Sequence, residues 1–140
     1  MTTLEAVSIE QILSPGQVAQ GRQAEDLSAQ EIARVMVAIQ RMRRDKIEEI
    51  KDLAVQVAEA VKIATIVRAD KFLNTDGPQQ QRDQASRLEA AALVFAADAL
   101  KAELDAAKES LRLLKDDWDT CRSLNANNRA ERNAIEGFGV

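Results

Sequence analysis

The side chains best placed for chemistry in this 140-residue chain are bases. Arg41, Arg43, Arg44 and Lys46 form one run, and Lys108, Arg112 and Lys115 form a second, looser one. Cationic groups on neighbouring turns of a helix can neutralise phosphates along a nucleic-acid backbone, whatever its base sequence. The other reactive groups offer less. Asp116-Asp117 is an acid pair of a kind common on helix surfaces, with no visible partner for acid–base work. There is one thiol, Cys121, and there is neither His nor Tyr. A zinc site needs Cys and His that are absent from the composition. One cysteine allows no intramolecular disulfide, which suits a reducing compartment. No nucleophile–base pair and no glycine-rich phosphate loop can be read. The chain is therefore expected not to be an enzyme and to need no cofactor or metal.

The elements that must carry these groups are helices. Hydrophobic residues make up 46% of the chain, but aromatics only 3%, and many of the apolar residues are Ala. Ala favours helix at little entropic cost, whereas a compact core would need more large side chains. Breakers are rare, with Gly 5 and Pro 2. From Leu93 the apolar residues recur every three or four positions: Ala97, Leu100, Leu104, Ala107, Leu111, Leu114, Trp118, Cys121, then Asn125 and Asn128. A seven-residue repeat of this kind lays one stripe along one side of a helix, and that stripe must pack on another helix. Cys121 sits on it, which makes the thiol a small buried hydrophobe.

The partner helix starts at Ser28. Ser28-Ala29-Gln30-Glu31 has the capping-box form, and Ile32, Val35, Met36 and Ile39 follow on one face. No breaker appears before Gly77, so the first helix is expected to end near Phe72. Asn74-Thr75-Asp76-Gly77-Pro78 reads as a turn. A second helix then runs from about Gln79 to Asn128 or beyond. The fold class is all-α: a long antiparallel helical hairpin, coiled-coil-like, spanning 28–136. Residues 1–27 read as an arm with a possible short helix, and 137–140 as a tail. The arm has four acids and one base, a net −3 of the chain's −4, so the helices are nearly neutral. The Ala-rich stretch from Ala90 to Ala107 is expected to let the helices approach closely. Leu100, Leu104, Leu111 and Leu114 are expected to be buried, with Phe72 and Phe95. A lone two-helix layer leaves apolar area uncovered, so a homo-oligomer is expected, with Trp118 as its anchor. No run of apolar residues is long enough for a membrane span, and no signal peptide is seen.

A hairpin turning near Asp76 would set position 44 beside about 109, so the two basic runs would meet on one flank. The competing reading is a solvated surface whose bases pair with Asp45, Glu48, Glu49, Glu109 and Asp116, as charge runs on helices usually do. The Asn residues on the stripe also leave two alternatives. They fix register and oligomer state, or the helix frays there.

The end of the chain runs from Leu124 through Asn125, Asn127, Asn128 and Arg129 to Asn133-Ala134-Ile135-Glu136. This segment resembles the C-terminal end of the UvsY family of phage recombination mediators, which also place paired Asn before Arg on a late helix. The two-helix layout is similar too. Arg122 to Ala126 resembles a segment of small helical siphophage proteins. The resemblance implies a helical oligomer that binds single-stranded DNA non-specifically. It implies contact with a recombinase and a single-strand-binding protein, in the cytoplasm of the host if phage-encoded. Under it, Asn128, Arg129 and Ile135 belong to assembly together with Trp118, Cys121 and Asn125, and the two basic runs to DNA. The alternative is a structural or adaptor coiled-coil protein, such as a virion scaffold, with no nucleic-acid role.

Overall fold

The computed structural model describes residues 28–138; the arm expected over 1–27 lies outside them. The described chain is all-helical, with two long helices packed together: α1, Ala29–Asn74, and α2, Gln79–Phe138. Each helix contributes to two compact units. Unit 1 holds residues 28–46 and 110–138, and unit 2 holds Ile47–Glu109. The division cuts across the single 28–136 hairpin expected from sequence.

Local chemistry sets the ends. The Ser28 hydroxyl accepts the Glu31 amide at 3.2 Å, which is the expected cap of α1. At the other end, Asn74 Nδ2 donates to the Asp70 carbonyl at 2.9 Å and the Thr75 hydroxyl to the Lys71 carbonyl at 2.5 Å. These side chains satisfy terminal carbonyls that the helix leaves open, and α1 runs two residues past Phe72. Gly77 takes φ of 111°, a conformation that side chains disfavour, and the chain reverses there. Arg82 braces the turn: its Nε donates to the Phe72 carbonyl at 3.0 Å, and its guanidinium lies 4.5 Å over the Phe72 ring. α2 ends at Phe138, so Gly137 and Phe138 are helical rather than tail.

Every position of the expected α2 stripe, from Leu93 to Asn128, is buried or half-buried. The repeat extends upstream through Ala90, Ser86 and Asp83. In unit 1, Ile32, Val35, Ala38 and Ile39 of α1 pack with Leu114 and Cys121 of α2, and Met36, Met42, Trp118 and Leu124 line the margin. In unit 2 the buried residues are mostly small: Ala64, Ser86, Ala90, Ala97 and Ala107, with Leu53. That matches close approach of two helices. Two expectations need correction. Of the four leucines only Leu114 is buried; Leu100, Leu104 and Leu111 are half-buried. Phe95 is 77% exposed, and Ala91, Ala92, Ala96, Ala99, Ala102 and Ala106 are also open. One partner helix covers one stripe, and among the described residues nothing else reaches the rest.

The α1 stripe has a phase step that α2 lacks. Its buried and half-buried positions include 32, 35, 39, 42, 46, 50, 53, 57, 60, 64 and 67. Two successive steps of four occur at Met42, Lys46 and Ile50, the spacing of a four-residue insertion in a heptad. The boundary between the units falls at the same place, after Lys46.

Candidate nucleic-acid interface

The basic runs divide between the units. Arg41, Arg43, Arg44 and Lys46 of α1 belong to unit 1, together with Arg112 and Lys115 of α2; Lys108 belongs to unit 2. Arg41 and Arg44 are exposed, whereas Arg43 and Lys46 are half-buried. Lys46 takes a stripe position and is half-buried, a placement in which a lysine stem can cover apolar surface while its charge stays in water. Among the described residues Arg43, Arg44 and Lys115 make no ion pair. Arg112 pairs with Asp116 at 2.8 Å, with both side chains more than half exposed. Glu48 pairs with Lys51 at 3.2 Å rather than with the arginines. Exposed pairs of this kind are weak and screened, so they yield readily to a polyanion. The α1 run holds one acid, Asp45, between its bases. The α2 side is diluted by Asp116, Asp117 and Asp119. Positive charge in unit 1 is therefore concentrated on α1.

Of the residues expected to assemble the oligomer, most are occupied inside unit 1. Cys121 is 2% exposed, and Trp118 packs on the same cluster. Asn125 and Asn128 continue the stripe, half-buried, in unbroken helix. After Asn128 the residues through Gly137 are all exposed, so the helix persists but its seam stops. Arg129 and Ile135 lie on that open end, with Ile135 at 73% exposure.

Asp117 borders the cluster. Burial raises its carboxyl above the ordinary 3.8, and the neighbouring Asp116 carboxylate raises it further. Burial also pushes the Cys121 thiol up, with a contribution from Asp117, so the thiol is protonated and inert at neutral pH. The sign of the stability effect follows from linkage. A carboxyl whose folded pKa is raised binds its proton more tightly when folded. Its contribution is fully present below about 3.8 and is lost as pH rises through the folded value. Asp117→Asn removes the charge, so it is expected to stabilise the protein at pH 7 by less than about 1 kcal/mol, discounted for partial exposure. The gain should vanish near pH 3. Urea midpoints at the two pH values check this, and an equal gain at both would contradict it.

The residues missed by sequence reasoning are the outward-facing ones of unit 2. Leu88 is 81% exposed, Phe95 77%, Leu73 73% and Ile66 56%. A second repeat was there to be read: Leu88, Ala92, Phe95, Ala99, Ala102 and Ala106 also follow steps of three and four, on the α2 face opposite the seam. Among the described residues no group of His, Cys, Asp or Glu is placed to hold a metal, and no helix is long and apolar enough to cross a membrane. Compared with known proteins, the chain matches no family model, no curated protein and no solved structure.

Proposed function

We infer that this chain is a non-enzymatic, DNA-handling protein of the recombination-mediator type, which binds single-stranded DNA without sequence preference and helps load a recombinase. The observation that carries the reading is the α1 run of unit 1: four bases between positions 41 and 46 with one acid among them, joined in the same unit by Arg112 and Lys115. The resemblance of the segment from Leu124 to Glu136 points the same way. Phosphate contact from a helix surface needs no base-reading element. Among the described residues no aromatic is exposed beside these bases, so stacking is not part of the reading. Self-association multiplies the few contacts of one subunit, and Arg129 and Ile135, on the open end of α2, are available to it. A recombinase and a single-strand-binding protein are the protein partners this role requires.

The test is anisotropy of a labelled oligothymidylate titrated with the full chain at low and at near-physiological salt. Binding that weakens steeply with salt is expected, since each neutralised phosphate on a single strand adds roughly −0.7 to the log–log slope. Absence of binding even at low salt removes the mediator role. The structural-adaptor reading then takes its place, favoured by the open apolar face of unit 2.

A further inference from the structure

The two units differ in charge. Residues 28–46 and 110–138 of unit 1 carry ten bases and seven acids, whereas unit 2 carries eight bases and twelve acids. A polyanion is drawn to the first and repelled by the second. Within unit 1 the excess lies on the outward face of α1. From Gln30 to Arg44 the exposed positions of α1 hold three arginines, Arg34, Arg41 and Arg44, and no acid. The others are Gln, Ala and Val, with Val37 51% exposed. Glu31, the one acid inside this stretch, is half-buried, and Asp45 follows Arg44. Arg34 and Arg44 make no ion pair among the described residues. Helical geometry sets the three arginines on one side, away from the buried Ile32, Val35 and Ile39. Arg41 lies two turns from Arg34, about 10.5 Å along the axis, and Arg44 one turn further. Val37 sits among them, three residues from Arg34 and four from Arg41.

We propose that Arg34 is a further phosphate contact of the same site, and that the bound single strand runs lengthwise along the outward face of α1, from Arg44 past Arg41 and Arg34 toward Ser28. The inference rests on the DNA reading and gives its site a direction. The run at 41–46 leaves that direction open, because a strand crossing α1 there would not reach Arg34, two turns away. Three paths lead from Arg41 and Arg44. Toward α2 the strand meets Asp116, Asp117 and Asp119. Toward the C-terminal end of α1 it meets Asp45 at once. Toward Arg34 no exposed acid intervenes as far as Gln30, about 21 Å of helix from Arg44. A flexible polyanion takes the path on which each successive phosphate finds a cation and none faces a carboxylate. Nothing on this face is suited to reading bases, so the lengthwise path keeps binding tolerant of sequence.

Two matched pairs of variants test it on the full chain, by anisotropy of a labelled oligothymidylate across a salt series. Arg34→Gln should remove roughly 0.7 from the log–log salt slope. Over a fourfold rise in salt, wild type should then lose about 2.5-fold more affinity than the variant. Arg122→Gln removes the same charge from an exposed α2 position of unit 1 and should keep the slope. Val37→Glu sets an acid among the three arginines and should weaken binding about tenfold at low salt. Ser123→Glu, exposed on α2 of the same unit, should weaken it far less. All four should keep the circular dichroism of wild type; if Val37→Glu loses helix, the glutamine pair decides. A wild type that binds, with Arg34→Gln at the wild-type slope, overturns the lengthwise path and leaves the DNA reading standing. Equal losses within either pair also overturn it, since binding would then follow the net charge of unit 1 rather than this face. A wild type that binds no single strand even at low salt removes the DNA reading and this path together.

Discussion

Ile39→Ala is expected to destabilise unit 1 by about 2–5 kcal/mol. Ile39 is fully buried, at 0% exposure, in a cluster with Ile32, Val35, Leu114 and Cys121. Truncation removes its transfer energy and leaves a cavity that neighbours fill only in part. A small two-helix unit has only a few kcal/mol to lose, so this one change takes a large share of its stability. Trp118 supplies the readout. It is the only tryptophan, and it packs against the same cluster. Its emission should lose its urea midpoint well before the far-ultraviolet circular dichroism, which reports both helices throughout. Leu104→Ala, at a half-buried position in unit 2, should shift the tryptophan midpoint less. An Ile39→Ala protein whose Trp118 transition matches wild type would mean that the cluster is not the core of unit 1.

That core was largely legible in the sequence, and the reasons are physical. A helix pair buries what lies on one stripe, and a seven-residue repeat is the sequence form of a stripe. Leu93 to Asn128 therefore announced the seam of α2, and Ser28 and Gly77 announced a start and a reversal. What could not be read was depth. Leu100, Leu104 and Leu111 carry the same pattern as Leu114, yet one partner helix closes over only part of them. Phase was missed too. The step at Met42, Lys46 and Ile50 places a lysine on the seam, and a reading that follows apolar residues passes over it. Phe95, expected to be buried, is 77% exposed. Its helical angle puts it outside, beside Leu88 and opposite the seam. The candidate site was legible as a cluster of bases and no further. Sequence could not show that Lys108 falls in the other unit, or that Arg82 is taken up by Phe72.

Replacing Arg41, Arg43 and Arg44 together by Gln is expected to remove about two units from the log–log salt slope of single-strand binding, at roughly 0.7 per phosphate contact. Across a fourfold rise in salt, wild type should then lose roughly twentyfold more affinity than the variant does. The α1 run is chosen because Arg112 is already tied to Asp116 at 2.8 Å, and Lys115 sits among acids. Gln keeps the aliphatic stem and favours helix nearly as well as Arg, so packing beside the half-buried Arg43 is preserved. Circular dichroism and sedimented mass should match wild type, which separates a lost phosphate contact from a lost fold. The control removes three charges from exposed positions of unit 2: Lys71, Arg87 and Lys101, each to Gln. Arg82 is left intact there because it braces the turn through Phe72. The control should keep most of the slope. If both triple variants lose the same slope, binding follows net charge rather than a surface, and the α1 run is not the site. If only the α1 variant loses it, the polyanion lies along unit 1, on the face that Arg41 and Arg44 present to solvent.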